Sequence, residues 1–291
     1  MPRVSIGLTV YNSERYLVQG LESLLVQQFG DFELIISDNA STDGTEAICL
    51  RYAAKDDRIR YVRNRVNVGI AGNFNQSFRL SSGEFFKWAA YDDICGPGFV
   101  GRCVEVLDRD PEVVLVHPRV AMIDEDGHIT RKIDPGPNLT SADAAVRFST
   151  VMQSSWGGPL FGVIRSSVLA RTGLMRSNPA CDHLLLAELC LHGKFMEVPE
   201  YDFFNRDHRY RDITRSSITR RAQHVDPRLP RTATLLRGIQ TAGYLAVVRA
   251  APIDPRTRGR CLVSVGRWLG GVIATRASAL LDDSPGSNRD S

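Results

Sequence analysis

The stretch "KWAAYDD", residues 87 to 93, ends an apolar run in two adjacent carboxylates, Asp92 and Asp93, with "ICGPG" directly behind them. Like charges side by side repel, and at the end of a buried strand neither can lean into the core. A partner outside the sheet is therefore expected. Mg²⁺ or Mn²⁺ prefers oxygen ligands, often one or two carboxylates, with phosphate and water in the remaining positions. Such an ion neutralises the charge that develops on a departing diphosphate. Aspartates also suit helix starts and turns, so "DDICGPGFVG" alone leaves both readings open.

Three further residues carry chemistry. Asp182 opens a helical pattern in "NPACDHLLLAELC", where it fits an N-cap or a general base that removes a hydroxyl proton. His183 and Glu188 stand nearby. His208 lies in "NRDHRYRD" among Arg206, Arg209 and Arg211. Imidazole is a common metal ligand, and arginines suit diphosphate recognition or an anionic acceptor. Asp38 in "SDNAS" can accept hydrogen bonds from a flat heterocycle or brace an Asx turn.

The elements that must hold these residues alternate. "VSIGLTVY", "FELIIS", "IRYV" and "EFFKWAAY" read as strands. Between them lie helical patterns: "SERYLVQGLESLLVQQF", with Leu17, Leu21, Leu24 and Leu25 on one face, a segment opened by Asp43 and Glu46 at capping-box spacing, and "AGNFNQSFRLS". This order predicts a parallel α/β sheet with helices on both faces. Ligands of such sheets bind beyond the carboxyl ends of the strands, here "TVYNSE", "SDNAS", "RNRVNVG" and "YDDICGPG".

Taken in order, "IGLTVYN", "DNASTDGT", "NVGIAGNFNQSF" and "GEFFKWAAYDD" resemble the motifs of family 2 glycosyltransferases across residues 3 to 125, with a looser continuation to about 210. The resemblance implies a GT-A fold: a Rossmann-like, mostly parallel central sheet with helices on both faces, here with a helical C-terminal extension. It implies inverting transfer of a sugar from a nucleotide-diphosphate donor, a UDP-sugar, to a hydroxyl on a glycan, a lipid-linked sugar or a small metabolite. By the same match Asp92 hydrogen-bonds the ribose, Asp93 ligates Mn²⁺ or Mg²⁺, and His208 joins the metal shell. Asp182 falls where inverting relatives keep their general base. Asp38 resembles the acid that reads the uracil edge, and Thr9 and Tyr11 match positions lining the base and ribose. Asn12, Glu14 and Asn67 stand in the same strand-end loops and are assigned to the donor. One departure is that many relatives carry an arginine in the helix where "AGNFNQ" has Phe74, which makes Arg63 and Arg65 candidates to compensate.

The second half is less regular. "VVLVHPRVAMIDEDGHITRKI" reads as two strands joined by a hairpin at "DEDG". Trp156 in "SSWGGPLFG" resembles a position on the acceptor side, where it stacks on a sugar or packs in the core. Two helical patterns follow, one with Leu235, Ile239 and Ala242 on a face, the other with Leu262, Val265, Leu269, Val272 and Ile273 beside Arg258, Arg267 and Arg276. Such helices pack on the body or lie on an anionic membrane. The expected division is a donor half over 1–125, an acceptor-side half over 126–225, helices over 226–281 and a disordered tail over 282–291.

The 291 residues, 43% hydrophobic and 24% charged, suit a globular chain. No run approaches a transmembrane helix, and the first residues read as a strand rather than a signal peptide, so a cytoplasmic location is expected, peripheral at the inner membrane face if the helices touch lipid. The six cysteines are scattered and read as reduced thiols. Residues 1–200 hold 20 Lys+Arg and 25 Asp+Glu, whereas 201–291 hold 16 and 8. That basic third points to an anionic partner, assigned to phosphate or membrane and not to nucleic acid. A dinucleotide-binding oxidoreductase needs a glycine-rich turn after the first strand, and "VYNSE" has no glycine. A catalytically inactive nucleotide-sugar-binding or scaffold protein of the same fold is the alternative, and donor hydrolysis separates the two.

Overall fold

The computed structural model describes residues 1–154, 158–208, 217–226 and 228–282, without the side chains of 234 and 272–282. Trp156, Arg209, Arg211, the side chains of Val272, Ile273 and Arg276, and the tail beyond 282 lie outside the described residues.

The expected alternation forms: β1 (Val4–Val10), α1 (Glu14–Leu25), β2 (Phe32–Asp38), α2 (Thr45–Ala53), β3 (Ile59–Arg63), α3 (Gly69–Arg79) and β4 (Phe85–Ala90). β1 pairs in parallel with β2 and β4, and β2 with β3. The register sets Thr9 between Ser37 and Ala90, and Asp38 between Val10 and Arg63, so these strands end at one level. Their order is β3-β2-β1-β4. The chain therefore reverses its direction of growth at β1 and β4, which opens a crevice beyond their carboxyl ends.

Past that point the sheet is mixed, which the sequence pattern did not show. β5 (Ile94–Cys95) follows Asp93 at once and pairs antiparallel with β9 (Lys194–Arg206). The segment directly behind the acid pair is thus a short strand, and the turn of "GPG" follows it. After α4 (Phe99–Arg109) come β6 (Val113–Ile123) and β7 (Ile129–Lys132), the antiparallel hairpin anticipated at "DEDG". Next are α5 (Ala144–Gln153), a 3₁₀ turn over Gly158–Phe161, β8 (Val163–Arg165), α6 (Ser166–Leu169) and α7 (Cys181–His192), ahead of β9. The full order is β3-β2-β1-β4-β8-β6-β9-β5, with β7 on β6. The chain closes with α8 (Ile218–Val225), α9 (Ala233–Ala250) and α10 (Pro255–Asp282).

Two hydrophobic layers cover the sheet. One packs Leu17, Leu21 and Leu24 of α1 and Val100, Cys103 and Leu107 of α4 on one face. The other packs Phe148 of α5, Leu185 and Leu189 of α7, Val247 of α9 and Val265 of α10 on the opposite face. All six cysteines are free and buried. Among the described residues no helix is long and apolar enough to cross a membrane.

The buried stripes of the last helices differ from those expected. α9 buries Leu236, Tyr244, Val247 and Val248 and turns Leu235 and Ala242 outward; α10 buries Cys261 and Val265 and exposes Leu262. Both helices are apolar on more than one side, so spacing alone did not fix which stripe faces the body.

Candidate active site

The two carboxylates that end β4 are not held by each other. Asp93 is 3% exposed, and its Oδ1 accepts from the Arg206 amide at 2.9 Å. Asn205 Nδ2 reaches both of its oxygens, at 3.2 and 3.1 Å. Asp92 turns the other way, its Oδ2 lying 2.9 Å from His208 Nε2. In place of a partner outside the sheet, Asp93 is held by β9 of the same sheet and Asp92 by His208, which follows it.

Arg206 is fully buried and corrects one expectation. Its Nε donates to Asp92 O at 2.9 Å, its Nη1 to Asp124 O and Glu125 O at 2.9 and 2.8 Å, and its Nη2 to Gln19 Oε1 at 2.7 Å. Its guanidinium also lies 4.7 Å from the Tyr16 ring centroid, and Tyr16 in turn packs 5.2 Å from the His208 ring. A guanidinium so occupied binds no diphosphate; it fastens α1, the β4 end and the β6–β7 turn together. Gly20 allows the approach, since a Cβ there would stand 2.5 Å from Tyr91 O.

Lys87, the first residue of "KWAAYDD", is a charged group inside the sheet. It is fully buried, with Nζ 2.6 Å from Phe161 O, 3.1 Å from Trp88 O and 4.0 Å from the Phe99 ring centroid. Burial pushes its amine below the usual lysine range, opposed in part by the negative charge of nearby Asp93. The available signal was a lysine inside an otherwise apolar strand.

On the other side of the crevice, Thr9 is buried at the end of β1, while Tyr11 is 44% exposed and offers a ring face. Asn12 takes a left-handed φ of 49°. Its Oδ1 accepts from the Thr42 amide at 2.8 Å, and its own amide donates to Ser41 Oγ at 3.0 Å. Glu14 Oε2 accepts from the Gly44 amide at 2.7 Å, tying α1 to the loop before α2. That helix begins at Thr45, whose amide donates to Asp43 Oδ1 at 3.0 Å; Glu46 does not close a capping box but faces Arg63 at 3.5 Å. Asn67 Oδ1 accepts from Asn39 Nδ2 and from the Gly69 amide, both at 2.8 Å. Gly69 has a φ of 77°, and a Cβ there would stand 2.5 Å from Val225 O, so no other residue fits this turn.

Asp38 is fully buried and its carboxylate is occupied. Oδ1 accepts from the Ser41 amide and hydroxyl at 2.9 and 2.6 Å, and Oδ2 from the Tyr61 hydroxyl at 2.7 Å. Burial and this bond raise the Tyr61 phenol above its usual range. The geometry favours the turn-bracing reading of Asp38 over direct contact with a base. Arg63 donates to Ser41 O at 2.7 Å and so serves the same loop, while Arg65 is exposed. At the place of the missing arginine, Phe74 packs 5.8 Å from Trp88, and adjacent Asn73 bridges both polar groups of Ser37 at 2.7 and 2.9 Å.

Asp182 is exposed in the first turn of α7, with Oδ1 accepting from the His183 amide at 2.8 Å. It is the second helical residue, and the N-cap position belongs to Ala180. His183 is fixed at 2.8 Å by Tyr244 on Nδ1 and by the carbonyls of Val151 and Ser154 on Nε2. Carbonyls only accept, so Nε2 carries the proton. Glu188 is buried against Arg176 and the Gly173 amide and is structural. No hydrogen bond among the described residues joins Asp182 to the β4 end.

Beyond the carboxyl ends of the strands stand Thr9, Tyr11, Asn12, Glu14, Asp38 and Asn67 on the β1–β3 side and Asp92, Asp93 and His208 on the β4–β9 side. Asp92 and Asp93 turn to opposite sides and their ligand atoms do not close up with His208 into one set; Asp92 Oδ1, which has no hydrogen-bond partner among the described residues, is the oxygen left open to a cation. Three other potential ligands, Asp124, Asp126 and His128, come within 4.8 Å of one another at the exposed β6–β7 turn. There Asp124 already accepts from the amides of Asp126 and His128.

A half-parallel sheet reversing at β1 and β4, with an acid pair in the crevice, is the fold of GT-A glycosyltransferases, and comparison with known proteins agrees. The sequence model described as glycosyl transferase family 2 matches residues 5–175, and the chain belongs to that family. It is 34% identical over 155 residues to the putative glycosyltransferase EpsE of Bacillus subtilis, a match covering 52% of this chain and 56% of EpsE. The chain therefore spans little more than half of that relative. Among solved structures, S. aureus TarS 1–349 superposes with a TM-score of 0.65 at 15% identity, covering 91% of this chain and 71% of that one. The mannosyltransferase PcManGT of Pyrobaculum calidifontis, in complex with GDP-Man and Mn²⁺, gives 0.55 at 18% identity, covering 96% and 81%.

Proposed function

We propose that the chain is an inverting, metal-dependent glycosyltransferase that moves a sugar from a nucleotide-diphosphate donor to a hydroxyl acceptor. The observation that carries this reading is the Asp92–His208 pair at 2.9 Å beside Asp93, at the carboxyl end of β4 where the sheet reverses. TarS 1–349 has been solved with UDP-GlcNAc, and PcManGT with GDP-Man and Mn²⁺, which supports a nucleotide-sugar donor and a divalent ion. We take UDP-sugar as the donor.

In this reading Tyr11 stacks on the base and Thr9 lines the pocket behind it. Asn12, Glu14, Asp38 and Asn67 act through the loops they fix, holding the donor-side wall in one shape before donor arrives. Asp92 meets the ribose, and Asp93 and His208 would hold Mn²⁺ or Mg²⁺. When bound, the ion supplies charge neutralisation to the leaving diphosphate. Arg206 and Asn205 orient the Asp93 carboxylate by donating to it. Asp182 removes the acceptor proton at its exposed carboxylate, whose Oδ1 accepts from the His183 amide and whose Oδ2 is left for the proton. The donor half is 1–125 and the acceptor half 126–225. The acceptor is a glycan, lipid-linked sugar or small metabolite, and the location is cytoplasmic.

The test is donor turnover over a panel of UDP, GDP, dTDP and CDP sugars with Mn²⁺, with and without hydroxyl acceptors. Metal-dependent release of one nucleotide supports the reading. Binding without any release, from every donor, supports a nucleotide-sugar-binding protein instead.

A further inference from the structure

The C-terminal helices bury one stripe and leave another uncovered. Leu245 on α9 and Val263 on α10 are 43% and 54% exposed. Arg249, Arg256 and Arg267 are exposed as well, and their side chains have no partner among the described residues. Arg249 stands one turn from Leu245, and Arg256, Val263 and Arg267 recur at helical spacing on one side of α10. Arg258 donates to Val248 O and Ala251 O at 3.3 and 3.0 Å, which fastens α10 back beside α9. With Tyr244, Val247, Cys261 and Val265 all turned into the body, the remaining stripes point away from it except at Arg260, which reaches back to Asp143 Oδ2 at 2.6 Å.

The charge on this layer has one sign. Residues 233–271 hold six arginines and a single acid, Asp254. That acid lies in the connecting turn and accepts from the amides of Arg256 and Thr257. A second copy of the same face would be repelled. Unpaired guanidinium groups interleaved with aliphatic side chains instead match a surface that offers phosphate outside and hydrocarbon beneath.

We propose that the outward face of α9 and α10 docks the chain onto an anionic lipid bilayer, arginines on headgroup phosphates and Leu245 and Val263 at the acyl boundary. The contact is peripheral, since among the described residues neither helix is long and apolar enough to span. It is independent of the transferase reading, because no donor, metal or crevice residue takes part.

The test is co-sedimentation of the whole chain with phosphatidylcholine vesicles and with phosphatidylcholine–phosphatidylglycerol vesicles, without donor. Binding is expected on the anionic vesicles alone and weakens as salt screens it. Arg249→Gln/Arg256→Gln/Arg267→Gln should bind about a hundredfold more weakly, about fivefold per arginine. Leu245→Ser/Val263→Ser should bind more weakly at every salt concentration. Neutralising Arg51, Arg60 and Arg131 on the body is the control and should change binding little. Three results each overturn the proposal: no binding, equal binding to both vesicle types, or the same loss in the control as in the triple variant.

Discussion

The amide of Arg206 donates to the Asp93 carboxylate at 2.9 Å, while its guanidinium returns to the Asp92 carbonyl at the same distance. One residue of β9 therefore sets both members of the acid pair. Replacing it removes a donor from four carbonyl or amide oxygens in a region water does not reach.

Arg206→Met should consequently cost about 3 kcal/mol or more in unfolding free energy, the scale expected when several buried acceptors lose their donor. Chemical denaturation measures it. A loss under about 0.5 kcal/mol, typical of a surface change, would show that the cross-link is not structural.

Asp38→Ala should cost about 1–3 kcal/mol of stability, because the Ser41 and Tyr61 donors it satisfies are buried with it. Nucleotide affinity should fall in parallel as the loop loosens, and Tyr61→Phe should reproduce part of that fall. If calorimetry shows lost nucleotide affinity in Asp38→Ala at unchanged stability, with Tyr61→Phe inert, the carboxylate touches the base directly.

Much of the donor side was legible because it is local. Strand runs, helix periods and strand-end acids lie within short windows, so the strand–helix alternation and the place of Asp92 and Asp93 at a strand end followed from pattern, whereas the β3-β2-β1-β4 order came only with the structure. What pattern could not give were partners set by distant pairing. Tyr61 closes on Asp38 across 23 residues, and Arg206 on Asp92 across 114. An arginine in a loop reads the same whether it waits for phosphate or is saturated by carbonyls. The mixed half of the sheet was hidden for the same reason, since β5 is two residues long and exists only because β9 pairs with it.

His117 gives a pH prediction. Buried on β6, with Nδ1 3.1 Å from Pro118 O, its imidazole is held below the ordinary 6.5 chiefly by desolvation. A depressed folded value means the unfolded chain takes the proton first. The stability it contributes is fully present above 6.5 and is lost as pH falls through the folded value, at up to about 1.4 kcal/mol per pH unit. His117→Asn should flatten the acid limb of the stability curve by that amount. Parallel curves for the two proteins would contradict it.

Asp182→Asn separates chemistry from folding. Asparagine keeps the shape and the contact to the His183 amide but cannot take a proton. Melting temperature and donor affinity should hold while transfer to acceptor falls about 10²- to 10⁴-fold. Normal transfer would remove Asp182 from the mechanism.

The central claim is that Asp93 holds the divalent ion of a sugar transfer, and it is tested most directly by titrating Mn²⁺ against nucleotide release from the preferred donor in the wild type and in Asp93→Asn. The expected result is saturable activation of the wild type, no activity in EDTA, and a variant that folds normally yet has lost at least about a hundredfold of turnover, the scale of a missing electrostatic contact at a leaving group. Wild-type turnover in EDTA, or an Asp93→Asn curve that overlays the wild type, would contradict it.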